Sequence, residues 1–375
     1  MLYFWHYYQG LKVEKIVLFV GRKFRVNTPF KEYIKREIAA SIGEINSYYF
    51  YPENDNALFL HLESILKKES QLLIISTKSA STVVGKLLCT ITEDNQILKE
   101  NMLIPSSTSI FEDNTYLLQY KKSHINLITA SENETLPQIL IKNETRCADV
   151  QIFDMDVETA NALLLPLAQT YEVKLNFTVL VKGWVTLNIE SKKYGNISQF
   201  ISSASSLLNT KLIPASNIAA FIIEKLSHAG KKISLAESCT GGLIASFLTK
   251  ESGSSAIFDG SLVTYSNLLK ANWLAVDNTL LEEHGAVSQE VVLEMSEGTL
   301  NVSDADYSLA VSGVAGPDGG SELKPVGTVF ISARSKTDVL VEACHFKGDR
   351  NYIQDQSALY AIKMLLTLDK ELFFN

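Results

Sequence analysis

The chain has 375 residues, 46% of them hydrophobic and 20% charged, with a formal net charge of −8. That is globular composition rather than disorder, and the length suits two or three domains of about 100–200 residues each. The acidic balance excludes a protein that holds nucleic acid through its overall field. An anionic nucleotide would have to be met by a few local cations and oriented amides.

The chain opens on an aromatic run, residues 1–8, without the cationic flank, long apolar core or small-residue cleavage site of a secretory leader. No stretch reaches the roughly 18 apolar residues of a membrane span. Cys89, Cys147, Cys239 and Cys344 lie far apart with no CxxC pair. The expectation is a cytoplasmic protein with no membrane contact, no metal–thiolate site and no cofactor.

From residue 15 to about 142, strands and helices alternate. Lys15–Val20 reads as a strand, and Pro29–Ile42 as a helix that Gly43 stops. Ala57–Lys67 reads as a helix, Leu72–Ser76 as a buried strand and Val83–Ile91 as a helix. This order predicts a doubly wound parallel sheet. A second unit spans residues 146–213. Val157–Tyr171 reads as a helix with Ala160, Leu163, Leu164 and Leu167 on its apolar stripe. Val173–Val181 and Val185–Glu190 alternate as strands, and Ile197–Leu208 closes a small α+β, KH-like layer. It lacks the Gly-x-x-Gly loop that clamps nucleic-acid backbone, so it reads as a spacer or dimer-forming module.

The third unit, residues 214–375, starts at Ser216 as helix N-cap and predicts strands at Lys232–Ala236, Ser261–Tyr265, Tyr307–Val311, Thr328–Ser335 and Val339–Phe346. Asn351–Leu368 is the closing helix. Its most informative run is residues 234–246, where a buried strand meets the Glu237-Ser-Cys-Thr240 corner, Gly241 and Gly242, then helical spacing. Alone, this is a capped helix start with close glycine packing; as chemistry, it presents the Ser238 hydroxyl near helix N-terminal amides able to stabilise an oxyanion or hold a phosphate. Cys239 reads as a buried small apolar residue. His284 reads as a structural residue in a last helical turn.

Five further runs keep it company: Thr264-Tyr-Ser-Asn-Leu-Leu-Lys270, His284-Gly-Ala-Val-Ser288, Ser312-Gly-Val-Ala-Gly-Pro-Asp-Gly-Gly320, Lys324-Pro-Val-Gly-Thr328 and Gly348-Asp-Arg350. In this order and spacing they closely resemble the C-terminal domain of the CinA family, whose stand-alone form is a nicotinamide-mononucleotide amidase. The resemblance covers about residues 214–368 and implies a three-layer α/β/α domain. It also implies hydrolysis of the carboxamide of nicotinamide mononucleotide to nicotinate mononucleotide and ammonia. A homodimer is expected.

Amide hydrolysis needs a nucleophile, a base and a cradle for oxyanion charge. The resemblance carries Ser238, Tyr265 and Lys270 onto the family's catalytic pattern. A lysine acts as base only if burial or nearby cations bring its pKa down toward 7–8. Ser312, Gly313 and Gly316 are expected to bind substrate on the same ground, beside Glu237, Thr240, Gly241, Gly242 and Asn267; Arg350, a cation at a helix start that calls for an anion, is expected to meet the phosphate, with Lys324 as a second ligand. Glu237 could also pair with Lys270, which would raise the lysine and oppose a base role.

Family proteins also carry an N-terminal domain similar to molybdopterin-binding proteins. Here Val26-Asn27-Thr28 matches its early corner, but residues 75–82 stand where its glycine-rich loop and carboxylates belong, and Gly21-Arg22-Lys23 replaces an acidic corner. The expectation is a degenerate structural domain, residues 1–145, with the ADP-ribose pyrophosphatase activity of that domain lost. The alternatives to an amidase are that pyrophosphatase, or a non-catalytic nucleotide-binding or assembly protein.

Overall fold

The computed structural model describes residues 13–100, 102–142, 146–192 and 194–375; the aromatic run 1–8 lies outside them. The chain divides into two compact units, residues 1–144 and 145–375.

In the first unit, β1 (Glu14–Val20) leads through α1 (Lys23–Val26) to α2 (Thr28–Ile42), β2 (Ser47–Tyr51), α3 (Ala57–Ile65), β3 (Ser70–Ser76) and α4 (Lys78–Thr92). Asn27 caps α2 through its side chain, Pro29 sits in the first turn and Gly43 ends it. Five strands come next: β4 (Gln96–Lys99), β5 (Met102–Pro105), β6 (Thr108–Glu112), β7 (Thr115–Tyr120) and β8 (Ser123–Thr129). The sheet order is β2-β1-β3-β8-β7-β6, with β2, β1, β3 and β8 parallel and the last two antiparallel. The parallel core is the expected doubly wound part. The antiparallel flank is not legible in the sequence because its strands are short and of mixed polarity, which blurs the period-two signal. Helix α4 starts five residues before the expected Val83, because Thr77 accepts the amide of Ala80 and nucleates it early.

The second unit begins with β9 (Cys147–Phe153), then α5 (Val157–Thr170), β10 (Val173–Val181), β11 (Trp184–Ser191), α6 (Ile197–Leu208) and β12 (Leu212–Ile213), in sheet order β10-β11-β9-β12. Ala160, Leu164 and Ala168 face the core, whereas Leu163, expected there, is exposed because it falls to the outer flank of the stripe. Phe153, Val181 and Trp184 pack into the same apolar cluster as the C-terminal helices, and Asp154 meets Lys363 at 3.6 Å and Lys370 at 2.9 Å. Residues 146–213 therefore share a core with residues 214–375.

That C-terminal portion runs α7 (Ile218–Ala229), β13 (Ile233–Glu237), α8 (Leu243–Thr249), β14 (Phe258–Val263), α9 (Asn267–Leu274), α10 (Asn278–Glu283), α11 (Gln289–Val302), β15 (Tyr307–Gly313), β16 (Thr328–Ser335), β17 (Val339–His345), α12 (Arg350–Leu368) and α13 (Lys370–Phe374). The N-cap of α7 is Asn217, which accepts the Ala220 amide, and not the expected Ser216 one residue earlier. The sheet order is β14-β13-β15-β16-β17, with β14, β13 and β15 parallel and β16 and β17 antiparallel. Ile233, Leu235, Leu309 and Val311 face α7, α8 and α12, while Ala236 and Ala310 face α9, α10 and α11. Both faces are covered, giving the expected three layers. No helix among the described residues is long and apolar enough to cross a membrane.

Candidate active site

Strand β13 sits between its parallel neighbours, with Glu237 opposite Val263 on one side and Val311 on the other. The chain leaves β13 toward one neighbour and returns on the other side, so the carboxyl ends of these strands flank a topological switch point, where open α/β sheets bind ligands. A pocket of about 250 Å³ lies there, reached by Ser238, Lys270, Tyr265, Ser312 and Arg350.

Ser238 owes its position to Glu237. The Glu237 carboxylate is fully buried and accepts the amides of Gly242, Ile244 and Ala245 at 2.9, 3.2 and 3.0 Å, and the Ser261 hydroxyl at 3.2 Å. It thus satisfies the first turn of α8 and draws the chain into a tight corner that needs positive φ at Gly241 and Gly242 (60° and 100°). Ser238 is left on the turn with its amide bonded to Val311 O. Two expectations change here. Glu237 neither touches the pocket nor pairs with Lys270, because its oxygens are occupied. The helix N-terminal amides are also taken; near Ser238 the Thr240 amide donates to no acceptor among the described residues, while that of Cys239 lies against its own thiol.

Lys270 arrives from α9, which Ser266 caps directly after β14. Lys270 and Leu274, one turn apart, both point inward, and Lys270 is only 1% exposed. Its Nζ lies 3.2 Å from Ser238 Oγ, 2.8 Å from Thr264 O and 3.5 Å from Tyr265 O. Burial lowers its pKa from 10.5 to about 8; the adjacent Cys239 thiol acts the other way. In the neutral form, two N–H groups can serve the two carbonyls while the lone pair faces the serine hydroxyl. The surface-lysine alternative is excluded by this burial. Burial also pushes Cys239 up to about 12, so the thiol beside Ser238 stays protonated at neutral pH.

Tyr265 does not end a strand in the core: β14 stops at Val263, and Tyr265 is 61% exposed at the pocket mouth. Its hydroxyl accepts from Arg350 Nη2 at 3.0 Å, and Arg350 Nη1 donates to Gly316 O at 2.6 Å. Arg350 is the first residue of α12; Asp349 caps that helix through the Tyr352 amide, and Arg350 forms no ion pair among the described residues. Ser312 and Gly313 line the pocket at the end of β15, Ser312 donating to Ala286 O at 2.6 Å. The amides of Ala315, Gly316, Asp318 and Gly319 donate to no acceptor among the described residues.

The remaining expected residues fall outside the lining. Thr240 is buried and its hydroxyl unpartnered; Gly241 and Gly242 shape the corner; Asn267 is exposed on the outer side of α9. Lys324 donates to His284 O at 2.6 Å, which ties it to the end of α10 rather than to the pocket. Sequence reasoning missed Asp318 and the Thr264 carbonyl. Asp318 stands in the glycine-rich run 312–320, so its signal is present there; a backbone carbonyl leaves none.

The strand-end crevice, with a buried lysine against a serine hydroxyl and a guanidinium at the rim, lies at the edge of a three-layer α/β fold. A family model described as the CinA C-terminal domain matches residues 215–368. The nicotinamide-nucleotide amidohydrolase PncC of Escherichia coli strain K12 is 46% identical over 143 residues, covering 38% of this chain and 87% of that protein. A putative competence-damage inducible protein of Halothermothrix orenii is 34% identical over 274 residues, covering 72% of this chain and 63% of that protein. Among solved structures, the competence/damage inducible protein CihA from Agrobacterium tumefaciens is 39% identical with a TM-score of 0.40, covering 41% of this chain and 97% of that one. The chain belongs to the CinA family.

Proposed function

We propose that this protein hydrolyses the carboxamide of nicotinamide mononucleotide, giving nicotinate mononucleotide and ammonia. One observation carries the reading: a buried lysine amine, lowered to about 8, sits 3.2 Å from a serine hydroxyl at the ligand-binding edge of the sheet. The amidohydrolase named for the Escherichia coli relative supplies the substrate.

In this mechanism Lys270 takes the Ser238 proton as Oγ attacks the carboxamide carbon. The Thr240 amide, which donates to no acceptor among the described residues, and that of Cys239 beside it meet the oxyanion charge. Lys270 returns the proton to the departing nitrogen, the C–N bond breaks and ammonia leaves an ester on Ser238. Water, deprotonated by Lys270, then adds to the ester carbon, and Ser238 leaves with the proton from Lys270. Arg350, fixed by Gly316 O and Tyr265 Oη, meets the phosphate, with loop amides beside it. The homodimer and the cytoplasmic setting belong to the same reading, as does the loss of activity in the N-terminal unit.

The experiment is ammonia release from nicotinamide mononucleotide by Ser238→Ala. Loss of about 10³-fold or more in kcat is expected; release at the wild-type rate removes the proposal.

A further inference from the structure

The carboxylate of Asp318 is the one acidic side chain lining the pocket among the described residues, and neither Lys270 nor Arg350 neutralises it. Lys270 is spent on Ser238 and two carbonyls, and Arg350 on Gly316 O and Tyr265 Oη. No ion pair to Asp318 forms among the described residues. Its loop is shaped by positive φ at Gly316 and Gly319, 81° and 86°. The pocket therefore carries three separate electrostatic points: a serine–lysine end able to be neutral, a free carboxylate and a guanidinium.

A nucleotide of nicotinamide has the same three parts in one molecule. Its carboxamide is neutral, its ring nitrogen is quaternised by the ribose and carries a positive charge, and its phosphate is anionic. We propose that Asp318 is a specificity-determining residue that recognises the cationic pyridinium ring, so that the site takes N-substituted pyridinium carboxamides over neutral pyridine or dihydropyridine ones. This rests on the function proposed above. Asp318 is exposed, so solvent screens the attraction and the effect is modest. Arg350 and Asp318 discriminate by opposite signs, which fixes the orientation of a dipolar ligand with its carboxamide toward Ser238.

The test uses the full-length protein and ligands that differ in ring charge. Equilibrium binding of 1-methylnicotinamide, a cation, is compared with that of neutral nicotinamide. In parallel, KM and kcat are measured for nicotinamide mononucleotide and for its neutral dihydropyridine form. Wild-type protein is expected to prefer the cation. Asp318→Asn is expected to lose about fivefold of that preference, with the kinetic loss on KM rather than kcat, and Asp318→Glu to retain it. Equal weakening toward both ring charges, an unchanged preference in Asp318→Asn, or wild-type protein that treats both ligands alike overturns the proposal. Absence of ammonia release from wild-type protein overturns the function proposed above instead, and the binding comparison still decides the role of Asp318.

Discussion

The molecule contains two parallel-strand switch points, and they have opposite fates. In the first unit the corner after β1 is packed with aromatic side chains. Phe24 is fully buried there, 5.3 Å from the Phe19 ring and 5.7 Å from that of Phe30. Gly21, at φ 143°, backs so closely onto Thr77 that a Cβ would lie 2.3 Å from Thr77 Cγ2. Thr77 itself is spent on capping α4, and Lys23 on an ion pair with Glu132 at 2.8 Å. In the second unit the ends of β13, β14 and β15 stay open around about 250 Å³ and keep polar groups pointed at it. The same topology thus supports either a packed stopper or a site. What separates them is whether the corner after the central strand is closed by an aromatic side chain or by a carboxylate held by backbone amides and the Ser261 hydroxyl behind it.

The contrast breaks hardest at Lys270. Lys270→Met should lower kcat by roughly 10²–10⁴-fold, measured as ammonia release, if its amine is the base. The pH dependence follows from burial. An active neutral amine makes the wild-type rate rise as pH passes through about 8. For stability the sign is the reverse of a salt-bridged lysine. The unfolded chain takes up the proton first, near 10.5, so acidification from 10.5 to about 8 costs the wild-type protein stability, roughly 3 kcal/mol in all. Lys270→Met has no such group. Its melting temperature, followed by circular dichroism, should gain on the wild type as pH falls through that window, so an active-site lesion is expected to be relatively stabilising at neutral pH. A pH-independent difference between the two proteins would be the contrary result.

Glu237→Gln tests what holds the second crevice open. The variant keeps the shape but one oxygen becomes a donor facing the amides of α8, so a loss of about 2–3 kcal/mol in urea unfolding is expected, with activity falling alongside. Undiminished stability would mean that the carboxylate does not build the corner.

The smallest effect belongs to the corner after β1. Gly21→Ala forces a methyl against Thr77 in a backbone region that favours glycine, costing about 1–3 kcal/mol in the first unit. Ammonia release at saturating substrate should stay at the wild-type rate. A parallel fall in kcat would show that the two crevices are not independent.

Much of this fold is legible in the sequence. The first-turn Pro29 and the stop at Gly43 are local chemistry, and the strands Val173–Val181 and Thr328–Ser335 and the helix Ile197–Leu208 carry clear periods and read with the bounds the structure has. The short strands between residues 96 and 129 do not, because a handful of mixed residues holds too few repeats of a period of two. Within the site, Ser238, Ser312, Gly313, Gly316, Lys270, Tyr265 and Arg350 do gather at one pocket. Lys324 and Glu237 are drawn elsewhere by acceptors and donors that only three-dimensional neighbours supply.

By itself, then, the order of residues determined the type and order of most strands and helices, which corners require glycine, and which family's motifs run through residues 215–368. Tertiary structure decided the charge state and the company of each side chain. Lys270 lies 32 positions from Ser238, and nothing local distinguishes it from a solvated helix lysine. Its lowered pKa comes from the loss of water around its ammonium, and desolvation belongs to the packed layers of the fold rather than to any segment of the chain.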